Sequence, residues 1–274
     1  MPATTSPVPP HVAEAFGVPG AGVLLTGGEE RTFRCGGFVL RRESKNTPEI
    51  PDALFTADLF SRIEESREFR VPRPRRARDG NWLHDGWSCW TFVEGRWASA
   101  AEAPEMVRAV EAFHRAIAGE PCPSHLPART LVYDRADRGA FGDMPVDVDE
   151  RVRPTLIELY ALRRPLDPAL RDQLIHGDAN AANILIAPGL RPAIIDFAPY
   201  WRPPEFALAV TALWLCGYQR HVEAFPAFAH VRELDQLLLR ALIRTLLVMD
   251  GFGGADRLGE YAPSIDTVCE RVAR

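Results

Sequence analysis

Leu174-Ile175-His176-Gly177-Asp178-Ala179-Asn180-Ala181-Ala182-Asn183-Ile184-Leu185-Ile186, followed by Ala193-Ile194-Ile195-Asp196-Phe197, is the stretch on which the fold of this 274-residue chain turns. It is apolar at both ends and polar in the middle. A helix is expected to end near Ile175, and a loop carrying Asp178 and Asn183 then enters an apolar hairpin. The hairpin strands are Ile184–Ala187 and Ala193–Phe197, with Pro188-Gly189-Leu190-Arg191-Pro192 as the break between them. If Ala187 pairs with Ala193, Ile184 faces Asp196 and Asn183 lies one residue beyond. Opposed residues of a ladder sit about 5 Å apart at Cβ, so the Asn183 amide oxygen and the Asp196 carboxylate converge at the open end. Two hard oxygen donors suit Mg²⁺, which takes a few protein oxygens beside phosphates and water. Asp178 projects from the same loop, placed to accept a hydroxyl proton.

Upstream of this loop the chain is β-rich. The runs Val23–Thr26, Arg31–Cys35 and Phe38–Arg41, broken at Gly27-Gly28 and Gly36-Gly37, read as a three-stranded antiparallel meander. Asp52–Glu65 carries Leu54, Phe55, Leu59, Phe60 and Ile63 at helical spacing. Trp82–His84 and Ser88–Val93 are strands joined at Asp85-Gly86, a hairpin signal. Beyond Glu94-Gly95 the pattern turns helical, over Ala103–Ala118, Val152–Leu162 and Arg232–Met249. The expected organisation is a tail over 1–10, a β-rich lobe with one helix over 11–95 and a mainly helical lobe over 96–274. That is an α+β arrangement with a cleft between the lobes.

Bulk properties remove several classes. The net charge of −5 argues against nucleic acid as partner. Five scattered cysteines without a Cys-x-x-Cys pair fit neither a disulfide framework nor a zinc knuckle, and suit a reducing cytosol. Met1–Pro10 lacks the features of a signal peptide, and Phe206–Tyr218 is too short to span a bilayer and reads as a buried helix. A soluble cytoplasmic protein is expected, with no membrane partner. Its oligomeric state is not legible. The six arginines between Arg67 and Arg78 are interrupted by acids and read as a solvated strand-and-loop edge. Trp82, Trp87, Trp90 and Trp97 read as packing residues, and His114 as a packed or surface histidine without a role.

The pattern His176-Gly177-Asp178-x-x-x-x-Asn183, then Ile195-Asp196-Phe197, resembles the aminoglycoside phosphotransferase and choline kinase-like superfamily, relatives of the protein kinases. The resemblance implies a two-lobed protein kinase-like fold, with Asp178 as catalytic base or hydroxyl-orienting residue and Asn183 and Asp196 as Mg²⁺ ligands. His176 then braces the loop by hydrogen bonding. ATP is the implied co-substrate and a small molecule bearing a hydroxyl the implied acceptor. Gly28 and Thr32 fall in the implied phosphate-covering loop. Thr91–Gly95 is the implied hinge, where the Thr91 carbonyl and Val93 amide meet the adenine edge. No Ala-Pro-Glu-type element follows Asp196, which argues against a protein kinase.

The chain departs from that family's pattern at the third strand. Kinase-like folds place a phosphate-binding lysine there, whereas Val39-Leu40-Arg41 carries an arginine, and Lys45 is the only lysine present. Asp52, Glu49 and Glu64 are the acids expected to pair with Arg41, Asp52 foremost. The covering loop carries Glu29 and Glu30 and lacks the usual glycine spacing, and Ala198 replaces a glycine after Phe197. Two functions follow: an active small-molecule kinase, or a nucleotide-binding pseudokinase with a regulatory or scaffolding role. Asp134–Glu150, with six acids against two arginines, is either a solvated acidic loop or a surface that attracts a cationic acceptor.

Overall fold

The structure, a computed structural model, describes residues 8–25, 31–43 and 49–273, except the side chain of residue 49. Gly28, Glu29 and Glu30 therefore lie outside the described residues. The chain forms two compact units, Met1–Arg96 with Ile186–Ile195, and Trp97–Leu185 with Asp196–Arg274.

The first unit is built on a five-stranded antiparallel sheet. Its strands are β1 (Val23–Leu24), β2 (Thr32–Cys35), β3 (Phe38–Arg42), β4 (Leu83–His84) and β5 (Trp87–Thr91), in the order β1-β2-β3-β5-β4. The meander forms as its alternation predicts. Asp85 and Gly86 both adopt positive φ, 47° and 75°, as a two-residue hairpin turn requires. Register divides the sheet into two faces. Phe33, Leu40 and Cys89 align across three strands, and Thr32, Arg41 and Ser88 align in the neighbouring row. Side chains alternate between faces along each strand, so the first row and the second point to opposite sides.

The apolar face packs against a helix that the sequence reading missed, α1 (Pro10–Phe16). Its Val12, Ala13 and Phe16 are buried with Phe33, Cys35, Leu40, Trp87 and Cys89. Burying each large apolar side chain contributes about 1.5–3 kcal/mol. Proline at its start and Gly17 at its end, in a left-handed conformation with φ 61°, are ordinary helix signals. The helix α2 (Glu49–Arg62) follows β3, and its Phe60 meets Trp90 edge-to-face at 6.2 Å.

The arginine run is not merely a solvated edge. Arg73 and Arg75 lie along β5, through Thr91 N–H to the Arg73 carbonyl and Arg75 N–H to the Cys89 carbonyl, both 2.8 Å. Arg73 also donates to the Phe60 and Ile63 carbonyls at the end of α2, at 2.7 and 3.0 Å. Arg76 stacks over Trp82 at 3.6 Å. Of the four tryptophans read as packing, Trp87 is buried, whereas Trp97, in the short strand β6 (Arg96–Trp97), is 58% exposed.

The second unit is mainly helical: α3 (Ala103–Ile117), α4 (Val132–Phe141), α5 (Arg153–Ala161), α6 (Pro204–Ala212), α7 (Leu234–Gly251) and α8 (Ala262–Val272). α7 is its spine, burying Leu237, Leu238, Leu239, Leu242, Ile243, Leu246 and Leu247 against α4, α6 and α8. α6 is buried from Phe206 to Ala212 and continues as a π-helical turn over Leu213–Tyr218. Among the described residues no helix is long and apolar enough to cross a membrane.

Two local expectations fail. No helix ends near Ile175: Gln173–His176 is a strand, β7, paired antiparallel with β10 (Pro199–Arg202) in the register His176↔Pro199 to Gln173↔Arg202. The apolar run that ends at His176 is buried between helices, and an extended backbone satisfies its hydrogen bonds by pairing. Residues 134–150 are not a solvated loop either, since the first half is α4.

Candidate active site

β7 delivers the chain into the polar loop, and α3 holds β7 from beneath. His176 N–H donates to Nε2 of His114 at 3.0 Å, and the Gln173 side-chain amide donates to the His114 carbonyl at 2.9 Å. His114, given no role from sequence, thus anchors the strand at both ends. A backbone N–H can only donate, so the His114 proton sits on Nδ1. Burial, then the neighbouring His176, push the His114 pKa down to about 3, an effect the Val110 carbonyl offsets little. This imidazole stays neutral.

His176 passes the constraint on. Its Nδ1 accepts the backbone N–H of Asp178 and of Ala198, each at 3.3 Å. One buried ring therefore ties the loop that carries Asp178 to the segment just after Asp196. Gly177 N–H donates to the Ala198 carbonyl at 2.8 Å. A Cβ at Gly177 would sit 2.1 Å from the Tyr200 ring, so only glycine lets the loop pass that ring. From the other side, the buried Thr211 hydroxyl of α6 donates to the Ala179 carbonyl at 2.5 Å.

These anchors present the Asp178 carboxylate in one orientation. Oδ1 accepts from the Asn180 side-chain amide and Oδ2 from that of Asn183, both at 2.9 Å. The Asn183 amide nitrogen also donates to the Asp178 carbonyl at 2.8 Å. Asn180 was absent from the sequence reading. It caps the 3₁₀ turn Ala181–Asn183, its Oδ1 accepting Ala182 N–H at 2.8 Å. An Asn two residues before a backbone donor is a recognisable turn signal, which could have singled it out.

Asp178 and Asn183 are thus brought together, through the amide nitrogen. That leaves the Asn183 oxygen as the donor of that side chain able to face a cation. Asp196 departs from the expected ladder. The strands here are β8 (Ile184–Ile186) and β9 (Ala193–Ile194), and β9 stops short of it. Asp196 instead occupies a bend with φ 51°, exposed, between β9 and β10. The left-handed conformation, which Asp tolerates better than most residues, is incompatible with continuing the strand.

In the first unit, Thr32 and Arg41 stand directly opposite one another on β2 and β3. Arg41 is 36% exposed, and its Nε lies 3.7 Å from Oε2 of Glu43, two residues along the chain. An acid beside it is thus a buried residue one position past the end of its strand, which the sequence reading did not weigh alongside Asp52, Glu64 and Glu49. Thr91 ends β5, with its N–H on the Arg73 carbonyl and its hydroxyl accepting Arg73 N–H at 2.8 Å. Val93 follows half-buried in the same segment.

Three acids of the 134–150 segment pair with arginines outside it. Asp134 pairs with Arg129 at 2.5 Å, while Arg202 bridges Asp137 and Asp143 at 2.8 and 2.6 Å. Burial works against the Arg202 charge, but the two carboxylates outweigh it and raise its pKa. Asp134 and Asp137 are buried, whereas Asp143, Asp147, Asp149 and Glu150 are exposed.

A β-sheet unit, a helical unit and an Asp held in a polar loop between strands define a kinase-like phosphotransferase architecture. The Phosphotransferase enzyme family (APH) model matches residues 23–252, and the chain belongs to that family. Among solved structures, it is similar to a thermostable mutant of aminoglycoside phosphotransferase APH(4)-Ia, in complex with ADP and hygromycin B. The TM-score is 0.61 at 18% identity, covering 97% of this chain and 98% of the other. A microcompartment-associated aminopropanol kinase matches with a TM-score of 0.56 at 15% identity, over 92% and 89%. Amicoumacin kinase, in complex with AMP-PNP and Ca²⁺, matches with a TM-score of 0.55 at 13% identity, over 91% and 88%. At these identities the likeness is one of fold, two-lobed and α+β. No curated protein matches the chain.

Proposed function

We propose that the protein transfers the γ-phosphoryl group of ATP to a hydroxyl of a small molecule, with Asp178 as the residue that orients the hydroxyl and receives its proton. The observation that carries this reading is the Asp178 carboxylate fixed by two amides at 2.9 Å each. Each carboxylate oxygen has a second lone pair beyond the one its amide occupies. The fixed orientation lowers the cost of aligning an acceptor, and positioning is the main source of rate in phosphoryl transfer.

Asn183 and Asp196 fit a divalent cation, because an amide oxygen and a carboxylate are both hard donors. Among the described residues no group of three or more His, Cys, Asp or Glu side chains gathers into a metal cluster. A donor set this small suits Mg²⁺, which keeps water and phosphate oxygens as its other ligands. When bound, such an ion neutralises charge on the transferring phosphoryl group. The Ca²⁺ and AMP-PNP in amicoumacin kinase support a nucleotide–cation pair. Arg41 and Thr32 are the proposed phosphate contacts, and the Thr91 carbonyl and Val93 amide the proposed adenine contacts. The acceptors named for the fold neighbours, a hygromycin and an aminopropanol, support a small molecule.

Arg41 at the lysine position favours a second reading, a nucleotide-binding pseudokinase. ADP release over a metabolite library separates the two. Turnover on one acceptor that is lost in Asp178→Ala, with AMP-PNP affinity retained, supports the kinase. Nucleotide binding with no turnover on any acceptor supports the pseudokinase, and turnover that survives Asp178→Ala refutes the assigned mechanism.

A further inference from the structure

We infer that Glu43 is a positioning residue for Arg41, so that β3 supplies the phosphate-binding cation and the residue just past its end supplies a counter-acid. The inference rests on the nucleotide reading above. Glu43 follows the end of β3 by one residue, and its bond to Ser88, the residue opposite Arg41, puts both side chains on the polar face of the sheet. Ser88 lies directly opposite Arg41 on β5. Glu43 is only 5% exposed, and its carboxylate is held from two directions. The Ser88 hydroxyl donates to Oε1 at 2.6 Å, and Arg41 Nε lies 3.7 Å from Oε2. Ser88 is itself oriented, accepting the Trp90 indole N–H at 2.9 Å. The Glu43 backbone N–H is fixed on the Gly86 carbonyl at 2.8 Å.

A carboxylate this buried is costly without a cation, so its pairing with Arg41 is held on both sides. The geometry uses a property that a lysine lacks. A guanidinium can meet one acid along its Nε edge and still present its terminal nitrogens to a phosphate. Arg41 keeps 36% of its surface exposed, so it is both anchored and reachable. Trp90, Ser88, Glu43 and Arg41 then form one chain of contacts that aims the guanidinium.

The test is a double-mutant cycle read by calorimetric titration with AMP-PNP and Mg²⁺ on the full chain. Glu43→Gln keeps the side-chain shape and should weaken binding about tenfold, the loss expected for one charge-assisted contact. Arg41→Met should weaken it at least as much. Adding Glu43→Gln to Arg41→Met should then change the affinity less than about twofold, because Glu43 acts only through Arg41. A purely structural role would lower the apo melting temperature and weaken binding equally in both backgrounds. That outcome, or unchanged affinity in Glu43→Gln, overturns the inference while leaving nucleotide binding intact. Wild-type protein that binds no AMP-PNP overturns the nucleotide reading and this inference together. If Glu43→Gln does not fold, Ser88→Ala carries the same cycle, with a smaller loss that must also vanish in Arg41→Met.

Discussion

Acidifying the solution should destabilise this protein through one imidazole. His114 is fully enclosed, and its pKa falls from 6.5 to about 3 on folding. The unfolded chain takes up this proton near pH 6.5 and the folded chain refuses it until about pH 3. A depressed folded value of this kind gives stability that is complete above pH 6.5 and is lost as the pH falls below it. Between pH 8 and pH 5 the loss from this group is about 2 kcal/mol, since about 1.5 pH units of the window are crossed at 1.36 kcal/mol each. Other groups titrate in the same interval, so the assay needs a reference without the ring. His114→Gln retains an acceptor for His176 N–H and has nothing to titrate. Urea unfolding of both proteins at pH 8 and pH 5 should show the wild type losing about 2 kcal/mol more than the variant, a midpoint difference of about 0.7 M at a slope near 3 kcal/mol/M. Equal losses within about 0.5 kcal/mol would refute the placement of a neutral, proton-refusing histidine beneath the loop.

Three further outcomes are expected. Asn180→Ala frees Oδ1 of Asp178 and should lower turnover about tenfold to a hundredfold while AMP-PNP affinity is unchanged, measured by ADP release and titration. Gly177→Ala drives a methyl into the Tyr200 ring and should cost about 2–3 kcal/mol in a denaturant melt, recovered in part by Tyr200→Leu. Arg202→Met strands the buried Asp137 and should cost about 3–5 kcal/mol, most of it restored when Asp137→Asn is added.

How much was legible in advance depended on sequence distance. The meander, the Asp85-Gly86 turn and the long helices follow from alternation, φ preference and the 3.6-residue period, all of which act within a few residues. The spacing of Asp178 and Asn183 is legible for the same reason, since one loop carries both. The identity of β7 is not, because Leu174-Ile175-His176 is short and apolar, and periodicity cannot separate a buried strand from a helix end. Its partner, β10, begins at Pro199, which carries no strand signal of its own. α4 escaped because its buried positions include Asp134 and Asp137, whose burial depends on Arg129 and Arg202. The reach of His114 to His176 spans 62 residues and leaves no local trace.

Arg41 shows how a departure from a family pattern can be read in physical terms. Judged against a lysine, an arginine at this position reads as damage, and a search among helix acids for its partner follows from that template. The end of β3 offers another solution. Lysine carries one compact charge at its tip and cannot serve an acid and a phosphate along separate edges, so it depends on a partner placed beyond it. Arginine brings an edge and a fork, and an acid two residues along the same face can hold the edge. Glu43 occupies that position, buried and braced by Ser88. The arginine, the acid past the strand end and the serine opposite therefore make sense as a set, and each loses its rationale when weighed alone.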